Sequence, residues 1–144
     1  MRLLEKTERL FQCAAIENIL RREHSWHFEF SSASLSVEHL WRVLADGAPV
    51  LTDREDGLTY GGPVAIDAQD EARRLLLGLR VLGAIVDPET ADLRISFDGG
   101  LRLDVLTIAP RTVAWEVSGP KFCIAARGGR LSEPFWFLAS APEA

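Results

Sequence analysis

The chain repeats one pattern of apolar and polar residues, and this repeat constrains its fold more than any other feature of the sequence. Four segments of the first half recur in the same order in the second half: residues 16–20 at 82–86, 26–30 at 93–97, 34–38 at 100–104, and 41–43 at 115–117. The spacing between matching segments stays nearly constant until an insertion before Trp115, as expected when loops vary around a fixed core. The sequence therefore predicts two equivalent units.

Each predicted unit begins with an amphipathic helix. The residues that share one helix face are apolar or small in both units: Leu3, Leu4, Thr7, Leu10 and Phe11 in the first, and Ala68, Ala72, Leu75, Leu76 and Leu79 in the second. Spacings of three and four residues are typical of a helix that packs one face on a core. Asp67 is the predicted N-cap of the second helix, because its carboxylate can accept hydrogen bonds from the free N–H groups of the first turn.

Antiparallel strands are predicted to follow each helix, and their hairpins can be registered by pairing apolar residues. In the second unit, a three-residue loop over Asp98–Gly100 places Phe97 opposite Leu101 and Ile95 opposite Leu103. A two-residue turn would instead set apolar residues against charged ones, so we predict the longer loop.

The first unit needs a longer loop in the same hairpin. With residues 31–34 as the loop, Phe28 pairs with Val37 on the apolar face. The other face then sets His27 opposite Glu38, which predicts a cross-strand pair of opposite charge.

Asp104 is predicted to lie among arginines on an outer sheet face. Arg94 is directly opposite it in the predicted hairpin, and Arg102 and Arg42 are expected nearby. Glu116 is a second acid expected on such a face. This pattern favours a solvated face of salt bridges over a pair of carboxyl groups poised for acid–base catalysis.

Two more strands complete each unit, namely residues 41–44 with 49–52, and 113–117 with 121–126. The predicted fold class is α+β, with an internally duplicated helix plus antiparallel β-meander packed as one pseudo-two-fold domain. This single domain covers residues 1–144, with repeat 1 over about 1–62, repeat 2 over about 67–131, and a C-terminal aromatic segment over 132–144. Each unit alone has few apolar residues with which to close a core.

The charge and hydropathy of the chain limit the classes of partner that it can bind. Sixteen basic against 21 acidic residues give a net charge of −5, which disfavours direct binding to the nucleic-acid backbone. No apolar stretch approaches the ~18–20 residues of a membrane span, and the first residues lack a signal-peptide pattern. We therefore expect a cytoplasmic protein that contacts neither nucleic acid nor membrane directly.

Cys13 and Cys123 lack Cys-x-x-Cys spacing and are expected to be small buried side chains.

The sequence contains no recognisable motif for catalysis, a metal or a cofactor. Its serines lack the Gly-x-Ser-x-Gly turn, and its paired glycines lack the phosphate-binding patterns. His24 and His27 are three residues apart, which places them on opposite faces of a strand. We therefore expect a protein that is not an enzyme and that holds no cofactor and no metal.

An acidic loop in the first unit has no counterpart in the second. Residues 52–60 combine three acids with the single tyrosine of the chain. Acidic side chains steer basic partners, and tyrosine is favoured at recognition surfaces. The predicted partner-binding residues are therefore Asp53, Glu55, Asp56 and Tyr60.

Two further surfaces remain as alternatives. A small-ligand-binding domain would use a cleft between the two units, lined by Trp41, His39 and Trp115. The C-terminal aromatic residues would pack on the domain's own sheet or form a homodimer contact, through Phe135, Trp136 and Phe137.

The second unit also resembles a family of small bacterial proteins. The resemblance lies in residues 90–100 (Thr-Ala-Asp-Leu-Arg-Ile-Ser-Phe-Asp-Gly-Gly), in Trp115-Glu116-Val117, and in residues 126–129 (Ala-Arg-Gly-Gly). Some relatives of this kind are immunity proteins of polymorphic or contact-dependent toxin systems. The resemblance implies a cognate toxin domain as the partner and supplies no catalytic residue. Because many toxin domains are basic nucleases, an acidic inhibitor would associate with one quickly through electrostatic steering.

Overall fold

A computed structural model of the protein describes residues 2–134. The first half of the chain forms one helix and five strands: α1 (Leu3–Leu10), β1 (Ile16–Arg21), β2 (Trp26–Phe30), β3 (Ser34–Val37), β4 (Leu40–Ala45) and β5 (Ala48–Thr52), followed by a 3₁₀ helix, Asp53–Glu55. The second half begins in the same way and ends in one additional strand: α2 (Ala68–Leu76), β6 (Val81–Val86), β7 (Leu93–Phe97), a 3₁₀ turn (Asp98–Gly100), β8 (Leu101–Leu106), β9 (Val113–Gly119), β10 (Phe122–Arg127) and β11 (Arg130–Ser132). The predicted aromatic contact at Phe135, Trp136 and Phe137 lies outside the described residues.

The strands form two antiparallel sheets, and each sheet combines strands from both halves of the chain. The six-stranded sheet has the order β1-β2-β3-β9-β10-β11, and the five-stranded sheet has the order β5-β4-β8-β7-β6. The pairings that join the halves are β3 with β9 and β4 with β8. The α+β class with antiparallel sheets is therefore confirmed.

The inner faces of the two sheets share one hydrophobic core. Trp41 of the five-stranded sheet is fully buried in this core, and its ring meets Trp26 and Phe28 edge-on at centroid distances of 5.0 and 5.5 Å. Phe30 stacks on Phe97 at 6.4 Å and so joins the two sheets at another point. Aromatic pairs of this kind add about 0.5–1.5 kcal/mol each beyond the burial of their surface.

Each helix covers an edge strand that belongs to the other half of the chain. The Glu8 carboxylate of α1 accepts a hydrogen bond from the Val86 N–H of β6 at 2.8 Å. The Arg73 Nε of α2 donates to the Ile19 carbonyl of β1 at 2.8 Å. These side chains satisfy backbone groups that an exposed edge would offer to another chain. Within the described residues, neither helix has the length and apolar character needed to cross a membrane.

Two predicted local features are confirmed. Asp67 is the N-cap of α2, and its carboxylate accepts from the Asp70 N–H at 3.1 Å. The second hairpin has the predicted register, with Leu93 opposite Val105 and Ile95 opposite Leu103. Its loop contains two consecutive glycines with φ values of 80° and 78°, a backbone conformation that glycine adopts without strain.

The predicted register of the first hairpin is wrong by two residues. Phe28 pairs with Leu35, and His27 pairs with Ser36 instead of Glu38. The loop is shorter than predicted, because the Phe30 N–H donates to the Ala33 carbonyl at 2.8 Å. A slip of two residues keeps every side chain on the same sheet face, so the apolar pattern does not distinguish the two registers.

The cysteine prediction is correct for one residue. Cys123 is buried on β10, and desolvation together with a hydrogen bond to Glu116 raises its pKa to about 12. Cys13 is exposed instead, in the turn after α1, where its φ is 58°.

The two fully buried indoles provide a test of the core. Trp115 Nε1 donates to the Ala91 carbonyl at 2.8 Å, whereas Trp41 Nε1 has no acceptor among the described residues. Substitution by phenylalanine removes ring volume at both positions but removes a hydrogen bond only at Trp115. We expect Trp115→Phe to lower the free energy of unfolding by about 1 kcal/mol more than Trp41→Phe does. Urea denaturation followed by circular dichroism measures the difference, and an equal or larger loss for Trp41→Phe would contradict this account.

Candidate functional site

An acidic groove lies where the end of β5 meets the start of α2. It has a volume of about 480 Å³. The apolar residues that line it include Val50 and Val64. The ionisable side chains that line it are all carboxylates, contributed by Glu55, Asp67, Asp70 and Glu71. Below, "acidic groove" refers to these six residues.

Glu55 connects the groove to the predicted partner-binding loop. One carboxylate oxygen accepts from the Thr52 N–H at 3.1 Å, which closes a capping box around the 3₁₀ helix. The other oxygen accepts from the Tyr60 hydroxyl at 2.9 Å. This hydrogen bond and the nearby negative charge raise the pKa of Tyr60 above its ordinary value. Glu55 therefore fixes both the turn and the tyrosine ring beside the groove.

Asp53 and Asp56 hold the loop on the body of the protein. Asp53 accepts from the Trp41 N–H of β4 at 3.3 Å. Asp56 receives Arg21 Nη1 of β1 at 2.7 Å and the Ala68 N–H of α2 at 2.9 Å. These two carboxylates are turned toward the fold, and their hydrogen bonds connect the loop to both sheets and to a helix.

The surface around the groove exposes apolar side chains. Tyr60 and Val64 are 72% and 76% exposed, and Val50 and Leu58 are close to half exposed. Clustered exposed apolar side chains with a polar rim are typical of interaction sites.

The negative charge of the groove is only partly neutralised. Within the described residues, Asp67 lies 3.7 Å from Arg21 Nη1, and Glu71 forms a salt bridge with Arg74. Neither Glu55 nor Asp70 has a basic partner in that part of the chain. The groove therefore combines two uncompensated carboxylates with exposed valines, an arrangement that can receive a cationic side chain together with its apolar stem.

The structure divides the predicted partner-binding residues into two groups. Glu55 lines the groove, and the Tyr60 hydroxyl is hydrogen-bonded to Glu55. Asp53 and Asp56 instead anchor the loop to the rest of the fold through hydrogen bonds to backbone N–H groups. No sequence pattern marks Val64 or Asp70 as a site residue. Asp70 was recognisable only as an acid in the first turn of a helix, and no local pattern places that turn beside β5.

The residues of the predicted ligand cleft do not surround an open space. Trp41 and Trp115 have no exposed surface and pack between the two sheets. His39 is half-buried, and its Nε2 lies 2.7 Å from the Thr112 hydroxyl. The expected cleft is thus filled by the core itself, because both indoles point to the inner faces of their sheets.

In comparisons with known proteins, no family model, curated protein or solved structure matches this chain. The functional interpretation therefore depends on the residues of the chain itself.

The hydrogen bond between Tyr60 and Glu55 can be measured directly, because Tyr60 is the only tyrosine in the chain. We expect Tyr60 to titrate above its usual value of 10.0, and Glu55→Gln to bring its pKa down toward that value. Because the pKa is raised in the folded state, the stabilisation is present below pH 10 and is lost as the pH rises through the folded-state pKa. The ultraviolet absorbance of the phenolate reports the titration. The matched control is Glu89→Gln, and an equal pKa in Glu55→Gln and the unmodified protein would rule out the bond.

Proposed function

We propose that this chain is a non-catalytic bacterial protein-binding domain, and that its specific function is immunity to a cognate toxin. The observation that carries the proposal is the acidic groove, with its exposed valines and its two uncompensated carboxylates. The resemblance of residues 90–129 to a family of small bacterial proteins, some relatives of which are immunity proteins of toxin systems, supports the same function. The partner would be a basic toxin domain, such as a nuclease.

The chemistry of the groove suits a basic partner. A lysine or arginine of the toxin would place its charged end near Glu55 and Asp70 and its methylene stem against Val64. The net charge of −5 would attract such a partner over longer distances and increase the rate of association. Because salt screens these charges, the association rate should fall as ionic strength rises.

The anchoring of the acidic loop also favours tight binding. Asp53 and Asp56 fix the loop through hydrogen bonds to Trp41, Arg21 and Ala68 before any partner arrives. A preorganised surface loses little conformational entropy on binding.

Co-expression with a toxin tests the proposal. The chain is expressed together with the toxin domain encoded by the gene immediately upstream in its source genome. We expect that domain to stop growth alone and this chain to restore it. We also expect Asp70→Lys to weaken binding of the purified pair at least about tenfold, since it reverses a charge at the groove.

Two control variants identify the surface that binds. Glu89→Lys makes the same change in net charge, but in the β6–β7 loop at the opposite edge of the five-stranded sheet. Val64→Ser removes an exposed apolar side chain in the groove, and Leu82→Ser removes one of similar exposure on β6. The groove variants should weaken binding and the two controls should not. A harmless neighbouring toxin, failure to rescue, or equal effects in all four variants would refute the proposal.

We also infer that the fold is an internal duplication with a pseudo-two-fold arrangement. The strand orders support this inference. Each strand of one half can be replaced by its counterpart in the other half, β1 by β6, β2 by β7 and so on. The order β5-β4-β8-β7-β6 then becomes β10-β9-β3-β2-β1, which is the order of the first five strands of the six-stranded sheet read from the opposite edge. The reciprocal contacts of α1 with β6 and of α2 with β1 follow the same exchange.

Circular permutation tests whether the two halves are equivalent. The described ends of the chain lie near each other, since Lys6 Nζ is 4.0 Å from a Glu133 oxygen. A permutant of the full chain, with its ends joined by a flexible linker and new ends between Gly61 and Gly62, should fold with nearly unchanged cooperativity. The control is a variant of the unpermuted chain with the same linker inserted between Gly61 and Gly62. If this control folds and the permutant does not, the inference that the two halves are equivalent is contradicted.

A further inference from the structure

The outer face of the five-stranded sheet carries a row of charged residues that the proposed function does not use. Arg42 of β4 and Arg94 of β7 lie directly opposite Asp104 of β8, one on each side. Arg102 lies two residues before Asp104 on the same strand and so on the same face. The predicted grouping of Asp104 with Arg42, Arg94 and Arg102 is therefore confirmed. The face is not solvated at its centre as predicted, because the Asp104 carboxylate is buried, and Glu116 lies on the other sheet, on β9.

Asp104 is buried, and three guanidinium groups share it. Arg102 donates to both carboxylate oxygens, at 2.9 and 3.2 Å, and Arg42 donates through Nε at 3.2 Å. Arg94 Nε stays at 3.8 Å, beyond hydrogen-bond distance. One carboxylate cannot satisfy all three arginines. Within the described residues, the terminal nitrogens of Arg42 and all the nitrogens of Arg94 lack a hydrogen-bond acceptor.

A cavity of about 230 Å³ lies beside these unused donors. Arg42 and Arg94 line it together with apolar surface from Ile85 and Leu106. Ile85 of β6 lies opposite Arg94 in the sheet, so the apolar side chain and the guanidinium group share one wall. This combination of a few polar groups with an apolar wall is typical of sites for small molecules.

The carboxylates of Asp87 and Asp92 line the same cavity and add negative charge to it. One Asp87 oxygen accepts from the N–H groups of Glu89 and Thr90, and one Asp92 oxygen accepts from the Thr107 N–H. The second oxygen of each has no donor in the described part of the chain. The hydrogen bonds from Thr90 and Glu89, with the charge of Arg94, lower the pKa of Asp87, so it is ionised at neutral pH.

From this arrangement we propose that the cavity binds a small zwitterion, namely an α-amino acid with an aliphatic side chain. Its carboxylate would accept hydrogen bonds from the donors of Arg42 and Arg94 that Asp104 leaves unused, because guanidinium groups match a carboxylate in planar, paired hydrogen bonds. Its ammonium group would face Asp87 and Asp92, and its side chain would lie on Ile85. A simple anion would leave the second oxygen of each aspartate without a hydrogen-bond donor. The cavity shares no lining residue with the acidic groove, so this proposal does not depend on the proposed function.

Titration with three related compounds tests the proposal. The probes are L-leucine, 4-methylpentanoate, which lacks the ammonium group, and 3-methylbutylamine, which lacks the carboxylate. Binding is followed by amide chemical shifts in ¹H–¹⁵N spectra at constant ionic strength. We expect L-leucine to bind at least about tenfold more tightly than either analogue, and to shift the amides of β6, β7 and β8. Absence of L-leucine binding at millimolar concentration, or equal affinity for 4-methylpentanoate, overturns the assignment.

Two variants and a control locate the site. Arg94→Gln should weaken L-leucine binding about 10- to 100-fold and leave the fold intact, since Asp104 keeps Arg102 and Arg42. Asp87→Asn keeps an oxygen for the turn but removes the charge, so it should weaken L-leucine binding while leaving 4-methylpentanoate unaffected. Arg22→Gln, an exposed position in the turn between β1 and β2, should change neither. Unchanged affinity in Arg94→Gln, or equal losses of both ligands in Asp87→Asn, would refute the proposed contacts.

Discussion

The pairing of β3 with β9 and of β4 with β8 is the interaction on which the rest of the structure depends. Through these two contacts, each half of the chain completes a sheet begun by the other half. The partners Val37 with Trp115 and Trp41 with Val105 place both large indoles on the inner faces, where they fill the single core. Neither half could bury its own apolar face without these strands, since a small separate unit has too little core to be stable.

Both candidate sites follow from the same exchange of strands. The acidic groove exists because β5 of the first half ends beside α2 of the second half, so Val50, Glu55 and Asp70 line the same groove. The row of charged residues on the outer face of the five-stranded sheet exists because β4 pairs with β8, which brings Arg42 next to Asp104. The chain thus has two outer surfaces of different character: one is an acidic groove with apolar walls, and the other combines guanidinium groups with carboxylates. The proposed basic partner and the proposed small ligand would therefore contact separate surfaces.

Much of this fold could be predicted from the sequence, because strand alternation and turn residues are local signals. The Asp67 cap and the Asp98–Gly100 loop followed from such signals and are confirmed. The register of the first hairpin was wrong because a slip of two residues leaves the apolar face unchanged. The sequence indicated an acidic loop but could not show that Asp53 and Asp56 point inward, since their partners Trp41, Arg21 and Ala68 are distant in sequence. Val64 was missed because Val50, Glu55 and Asp70, which line the groove with it, come from separate elements.

The central claim is that the acidic groove is the surface that binds the partner. The most direct test is amide hydrogen exchange of this protein, measured with and without the proposed partner, the toxin domain encoded by the gene immediately upstream. The account predicts slower exchange in residues 50–71, together with little change in β6, β7 and β8. Protection confined to the outer face of the five-stranded sheet, with residues 50–71 unchanged, would contradict it.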